Sequence, residues 1–215
     1  MIADACPVPW MRFGLRNAVG AALVRLALLV VKGESHRGYD VMSIGSAGDR
    51  DILIQRLDAG LDLIQHFDPR RFSGIQRHLH RFVFVPGGGD HYSPVLQAHM
   101  MDASRLRNAT NTLTALSIIH EATHGRLHRR GIATCQANAE RIERLCVGEQ
   151  IAFAKRLPGG ETIARQLSET LKQPWWGEAK TQKRILTRLE LAGWPKWLIW
   201  LVTLPERLRG KHLEL

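Results

Sequence analysis

Three residues near the middle of the chain have types and spacing that suit metal chemistry. His120, Glu121 and His124 form the pattern His-Glu-x-x-His. Residues four apart on an α-helix lie one above the other, so two imidazoles at this spacing can bind one cation. The glutamate between them is placed to take a proton from a water molecule that the cation activates. The pattern therefore predicts a zinc ion held by the two histidines, with Glu121 as the general base.

The segment that carries this pattern is predicted to be a buried helix over residues 110–130. When its residues are placed at about 100° intervals, Leu116 and Leu127 fall in the same arc as the two histidines. Ile119 and Ala122 lie on other sides, so the helix is apolar nearly all round, which is typical of burial. Buried histidines need polar partners. The alternative to a metal site is therefore a pair of core histidines that form hydrogen bonds.

A third zinc ligand is expected on the next helix, predicted over residues 134–157, which offers Glu140, Glu143 and Glu149. The connection between the two helices is short, so they should pack as antiparallel neighbours. Glu143 lies within the apolar face of the second helix and opposite the histidines, and a carboxylate there needs a metal or a partner. Glu143 is favoured as the ligand. Glu140 and Glu149 stay open as alternatives, and surface ion pairs would also explain them.

The motif with its downstream glutamate resembles the zincin metallopeptidases, and among them the glutamate-liganded gluzincins. The resemblance covers residues 113–153. It implies that His120, His124 and Glu143 bind zinc, that Glu121 is the catalytic base, and that the substrate is a peptide or protein. The metzincin pattern fits poorly, because it needs glycine and histidine where this sequence has leucine and arginine.

Zincins also place a strand beside the metal helix, where an extended substrate pairs through its main chain. Residues 95–101 are predicted to form that strand. A developing oxyanion needs a hydrogen-bond donor besides the metal. Tyr92 is our candidate donor, with His91 and Tyr39 as alternatives. We expect His91 and His99 to be exposed to solvent.

The remaining pattern predicts an α+β fold that is mostly helical, with a small sheet packed on the buried motif helix. Helical spacing of apolar residues predicts helices over 49–66 and 161–172. The β-branched and aromatic run at 81–85 predicts a strand. Several glycines in 35–49 indicate a loop. The zincin resemblance implies that these elements assemble into a zincin-like domain.

Composition narrows the class of protein. The chain has 215 residues, of which 45% are hydrophobic, and a formal net charge of +10. Its three cysteines are too few for a disulfide framework, which suits a reducing cytoplasm, and they form no C-x-x-C pair. Basic residues are spread along the chain without the clustering of a nucleic-acid interface, so specific nucleic-acid binding is not expected.

We predict three segments: an apolar or amphipathic helix in 1–33, the zincin-like domain in 34–173, and a Trp-rich basic extension in 174–215. The apolar stretch 18–31 is short of the roughly 20 residues that span a bilayer. We predict a cytoplasmic protein. Its terminal segments could lie on a membrane surface, and the protein would then be associated with that membrane. The predicted function is zinc-dependent peptide hydrolysis. The alternative is a non-catalytic zincin-like domain that binds a protein partner or a membrane surface.

Overall fold

The computed structural model describes residues 33–44, 50–86, 89–132, 134 and 138–172. In this part of the chain, helices pack on one small mixed sheet. The strands are β1 (Glu34–His36), β2 (Tyr39–Ser43), β3 (Arg81–Val85), β4 (His91–Ser93) and β5 (Ala98–Asp102). The helices are α1 (Arg50–Phe67), α2 (Pro69–His78), α3 (Ala103–Asn108), α4 (Asn111–Arg129), α5 (Ala139–Ala154) and α6 (Glu161–Thr170). The predicted α+β, mostly helical class with a small sheet is confirmed.

The sheet has the strand order β1-β2-β3-β5-β4. The three central strands, β2, β3 and β5, are parallel, with Val41 opposite Phe82 and Phe84 opposite Met101. The two outer strands are antiparallel to their neighbours and form the edges. Side chains alternate between the two faces of a strand. One face, which carries Phe82, Phe84 and Met101, therefore joins the main core with the helices.

Helix α4 lies in the middle of this core. It packs against α1 on one side, against α5 on another, and against the β4–β5 end of the sheet. Ile118 and Ile119 of α4 are at most 1% exposed, as are Leu57 and Leu61 of α1. Each such side chain contributes about 1.5–3 kcal/mol when it is buried from water. The prediction that the motif helix is buried nearly all round is confirmed.

Most predicted elements lie where the sequence pattern placed them. The helix predicted over 49–66 is α1, the strand predicted over 81–85 is β3, and the helix predicted over 110–130 is α4. The helix predicted over 134–157 is α5, which is shorter at both ends. The helix predicted over 161–172 is α6, which ends at Thr170.

The prediction of a loop over 35–49 is wrong for its first part. Strands β1 and β2 form a hairpin there, and residues 45–49 lie outside the described part. Arg37 and Gly38 form the two-residue turn, with φ of 52° and 82°. Positive φ at both central residues is the geometry that joins twisted antiparallel strands in such hairpins. The strands were missed because they are too short to show an alternating pattern.

Helix α2 was also missed, because Asp68-Pro69 was taken only as the end of α1. The Asp68 carboxylate accepts a hydrogen bond from the backbone N–H of Arg71, at 3.0 Å, and so caps a new helix. Pro69 stands in its first turn, where proline needs no N–H partner. The same two residues therefore end one helix and begin the next.

The strand predicted over 95–101 is β5, which begins later, at Ala98. It pairs with β3 on one side and β4 on the other, so it has no open edge. The strand lies beside α4 as predicted, but the prediction that an extended substrate pairs with it is wrong, because both of its sides are already paired. The edge beside α4 is formed by β4, a strand of three residues that the sequence pattern did not reveal.

The predicted terminal segments, with their suggested membrane contact, lie almost wholly outside the described residues. Within the described ranges, the structure has no helix with the length and apolar character needed to cross a bilayer.

The close crossing of α1 and α4 gives a first prediction. A Cβ added at Gly60 would lie 2.6 Å from Cγ2 of Thr114 and 3.2 Å from the backbone nitrogen of Ala115. Gly60→Ala should therefore lower the free energy of unfolding by about 1–3 kcal/mol, because the helices must separate. Gly148→Ala is the matched control in α5, where nothing lies within 4 Å of the added atom.

Gly148→Ala should raise the free energy of unfolding by about 0.5–1 kcal/mol, since alanine favours helix. Urea unfolding of both variants measures the difference. If both variants changed the free energy of unfolding in the same direction, the close crossing of α1 and α4 would be contradicted.

Candidate metal centre

The antiparallel pairing of α4 and α5 brings one carboxylate to the two motif histidines. His120 Nε2 and His124 Nε2 lie 3.3 Å apart. Glu143 Oε2 lies 3.2 Å from His120 Nε2, and Glu143 Oε1 lies 3.3 Å from His124 Nε2. Two imidazoles and one carboxylate thus converge on a single point between the helices.

These spacings fit a tetrahedral zinc ion. Zinc binds imidazole nitrogen and carboxylate oxygen at about 2.0–2.2 Å, so neighbouring ligand atoms in a tetrahedron lie about 3.3–3.6 Å apart. The nitrogen–nitrogen distance and the two nitrogen–oxygen distances are close to this edge length, with each nitrogen facing a different oxygen of the Glu143 carboxylate. Two histidines and one glutamate are also a ligand set of catalytic zinc sites. The side chains are 13–18% exposed, so solvent reaches the cluster only narrowly.

The other two glutamates predicted as alternatives are engaged elsewhere. Glu140 is exposed and accepts a hydrogen bond from Arg144, at 2.9 Å. Glu149 accepts hydrogen bonds from Arg71 and from Arg126, the latter at 2.7 Å. Glu140 therefore forms the surface ion pair that was its alternative explanation, whereas Glu149 forms a partly buried ion pair with two arginines from other helices. Of the three carboxylates, Glu143 is the one that the structure brings to the histidines.

Gln150 holds the ring of His120 in an orientation that suits a ligand. Its amide nitrogen donates to the carbonyl of Leu116 at 3.0 Å, which turns its oxygen towards His120 Nδ1, at 3.2 Å. Nδ1–H can then donate to that oxygen, and the lone pair of Nε2 faces the cluster. Partners of this kind orient metal-bound histidines and fix their tautomer.

The electrostatics of the cluster show how strongly its members interact. Burial alone would lower the pKa of His120, but the hydrogen bond to Glu143 and the charges of Glu121 and Glu143 raise it to about 9. Burial would raise the pKa of Glu143, but its bonds to His120 and His124 lower it to about 2. The raised pKa of His120 and the lowered pKa of Glu143 favour a charged pair between these two residues. A zinc ion would take the place of the proton between them.

Glu121 lies on a different face of α4 from the two histidines, and this face is directed towards the sheet. It is 6% exposed, and no other described residue forms a hydrogen bond with its carboxylate. Ser117 lies one turn before it and Gly125 one turn after it, and we call this row of three residues the Glu121 stripe. Both contact residues of the β4–β5 edge, so Glu121 lies between α4 and that edge, beside the cluster.

Tyr92, the predicted oxyanion donor, lies on β4 against this stripe. A Cβ placed on Gly125 would be only 3.1 Å from Cε2 of Tyr92, so glycine allows the ring its close approach. The Tyr92 hydroxyl is buried, has no partner among the described residues, and has a pKa raised by burial. His91 is exposed, as predicted. Tyr39 packs against Phe82 in the core, which gives it no place beside the cluster.

The prediction that His99 is exposed is wrong, since its side chain is completely buried. Its Nε2 lies 3.4 Å from Ser117 Oγ, which donates to Asp90 at 2.7 Å. Burial lowers the pKa of His99, although Glu121 and Asp90 act in the opposite direction. β5 is an inner strand with neighbours on both sides, and sequence alternation alone did not reveal this. The neutral His99 side chain therefore packs against the row of α4 residues that includes Ser117 and Glu121.

Sequence reasoning overlooked Cys146, which it assigned only to the apolar face of its helix. The Cys146 sulfur and the ligand nitrogens of His120 and His124 all lie within 4.8 Å of one another. The thiol is fully buried, packs with Leu127 and Ile142, and has a pKa raised by burial. The available signal was its spacing, because a residue three positions after Glu143 shares its helix face.

Either Glu143 or Cys146 could complete a three-ligand set with the histidines. Their distances to the histidine nitrogens distinguish the two candidates. Each carboxylate oxygen of Glu143 lies 3.2–3.3 Å from the Nε2 atom of one histidine. The sulfur lies within a looser limit of 4.8 Å and is held in an apolar cluster. Glu143 therefore fits the third ligand position better.

The chain was compared with protein-family models, with curated proteins and with solved structures. None of them matches it. The functional inference therefore rests on the residues of the site and on the motif that they form.

The placement of the carboxylates predicts how zinc content responds to substitution. Glu143→Ala should greatly reduce the zinc that copurifies with the protein, because it removes one of three converging ligands. Glu140→Ala is the matched control on the same helix and should retain wild-type zinc content. Elemental mass spectrometry of both purified variants measures this. Equal zinc in the two would mean that Glu143 is not a ligand.

Proposed function

We propose that this protein is a zinc-dependent peptidase of the zincin type. His120, His124 and Glu143 hold the ion, and Glu121 is the general base. The observation that supports this most strongly is the convergence of the three ligand side chains at 3.2–3.3 Å, with Glu121 next to them in sequence. The Gln150 contact to His120 adds the supporting partner that zinc histidines need.

When bound, zinc would act as a Lewis acid on a carbonyl oxygen and lower the pKa of a water ligand. The chain's own part is proton transfer. A carboxylate oxygen of Glu121 accepts the proton of the attacking water, and the resulting carboxylic acid returns it to the leaving nitrogen. General acid–base catalysis of this kind contributes typically about 10²–10⁴-fold in rate. The Glu121 carboxylate suits this role because no described residue engages it in a hydrogen bond.

A peptide substrate is supported by the position of β4. This strand is the edge of the described sheet and lies beside α4, on the side of Glu121. An extended peptide could pair with its main chain and so bring a peptide bond to the cluster. Tyr92 stands on the same strand with a buried hydroxyl that lacks a described partner, which suits a donor to the developing oxyanion.

The alternative is a domain that keeps the zincin shape without catalysis and binds a protein partner or membrane. Glu121 argues against it. A purely structural zinc site does not need a further carboxylate beside its ligands, and no described residue engages that of Glu121 in a hydrogen bond. Its presence beside the histidines favours a catalytic role.

Substitution of the base tests the proposal directly. Zinc-loaded wild-type protein should cleave members of a pooled library of internally quenched peptides. Glu121→Gln should bind the same amount of zinc but cleave about 10²–10⁴-fold more slowly, since the amide cannot accept the proton. Fluorescence assays, with zinc measured on the same samples, give both quantities.

Glu140→Gln is the matched control, because it removes an exposed carboxylate of the neighbouring helix. It should cleave at the wild-type rate. Wild-type rates in Glu121→Gln would eliminate the general-base role. Failure to cleave any peptide in the pool, by the zinc-loaded wild type and by a zinc-loaded Cys146→Ala variant alike, would count against peptidase activity itself.

A further inference from the structure

Four side chains that can bind zinc, not three, surround the candidate metal centre. Besides Glu143, the thiol of Cys146 joins the two histidines, because its sulfur and one ring nitrogen of each histidine lie within 4.8 Å of one another. It stands on the same helix face as Glu143, one turn further along α5. Leu127 and Ile142 pack around it.

We propose that Cys146 is a fourth protein ligand, which closes the metal site in the resting protein and must leave before water can bind. The inference rests on the proposed zinc site and adds its regulation. Zinc sites with four protein ligands are structural and closed, whereas catalytic sites keep one position open for water. Here the occupancy of that position would depend on one cysteine side chain.

The distances allow both arrangements. In a tetrahedral site, a sulfur at about 2.3 Å and a nitrogen at about 2.0 Å from zinc lie about 3.5 Å apart. The sulfur needs to move by roughly 1 Å from the outer limit of 4.8 Å, which a change at χ1 can supply. In the structure, the thiol packs with Leu127 and Ile142. That apolar cluster is the position to which it returns on leaving the metal.

The exchange needs no oxidant or co-reactant. When sulfur binds, the S–H bond breaks, the sulfur keeps the electron pair for the metal, and the proton passes to solvent. When sulfur leaves, it takes a proton back, and the thiol returns to the apolar cluster. Water then has access to the fourth position beside Glu121.

Cobalt substitution tests the ligand without any substrate. Cobalt(II) bound to a thiolate shows a charge-transfer band in the near ultraviolet, which nitrogen and oxygen ligands do not produce. The full-length protein loaded with one cobalt per chain should show this band. Cys146→Ala and Cys146→Ser should bind one cobalt and lose the band. Cys6→Ala and Cys135→Ala are the matched controls, because they remove the other two cysteines, and they should keep it.

A second measurement uses zinc itself. Competition with a chromogenic chelator should show zinc binding weakened about tenfold or more in Cys146→Ala, because one of four ligands is lost. Cys146→Ser preserves the size of the side chain and covers the case in which the alanine variant folds poorly. Peptide cleavage by zinc-loaded Cys146→Ala should be faster than by wild type, since its fourth position is open.

The outcomes separate this inference from the proposed function. One cobalt per chain with no charge-transfer band in the wild type would overturn the role of Cys146 and leave the three-ligand hydrolase intact. A band that survives in Cys146→Ala, or that disappears in Cys135→Ala, would overturn it equally. A wild-type protein that binds no cobalt would overturn the metal site as a whole.

Discussion

The contact between α4 and α5 is the constraint on which the site depends. It places the Glu143 carboxylate against the Nε2 atoms of both motif histidines. Removing one partner from such a group is costly, because the others keep their polar atoms buried and unpaired. The pair of Arg126 with Glu149, and the packing of Leu127 on Ile142, hold the helices in the same register. The ligand cluster is therefore built by one antiparallel helix pair.

Most of the metal site could be predicted from the sequence, because the helical spacing of apolar residues indicates both that a segment is a helix and which of its residues share a face. The spacing of His120 and His124 placed both imidazoles on one helix face, and the apolar residues around them indicated burial. Two independent arguments, the apolar face of α5 and the antiparallel pairing, favoured Glu143 over the other carboxylates. The structure brings that residue to the histidines. Long, strongly periodic helices are the elements for which such reasoning is most dependable.

The features that were missed depend on short elements and on tertiary contacts. Strands of three to five residues, such as β1 and β4, are too brief to show a period. The burial of His99 follows from pairing of β5 on both sides, which no local pattern indicates. Cys146 was not considered as a ligand, because its short distance to the histidines exists only in the folded helix pair. Site residues that lie on one helix can thus be predicted from the sequence more readily than site residues that different elements bring together.

The central claim is that His120, His124 and Glu143 together bind one zinc ion. Elemental mass spectrometry of the purified full-length protein, beside His120→Ala and the exposed control His66→Ala, tests this most directly. We expect one zinc per chain in the wild type and in the control, and loss of zinc in His120→Ala. The absence of zinc from the wild type after reconstitution, or equal zinc in all three proteins, would contradict the claim. The motif would then be a pair of core histidines that share hydrogen bonds with Glu143.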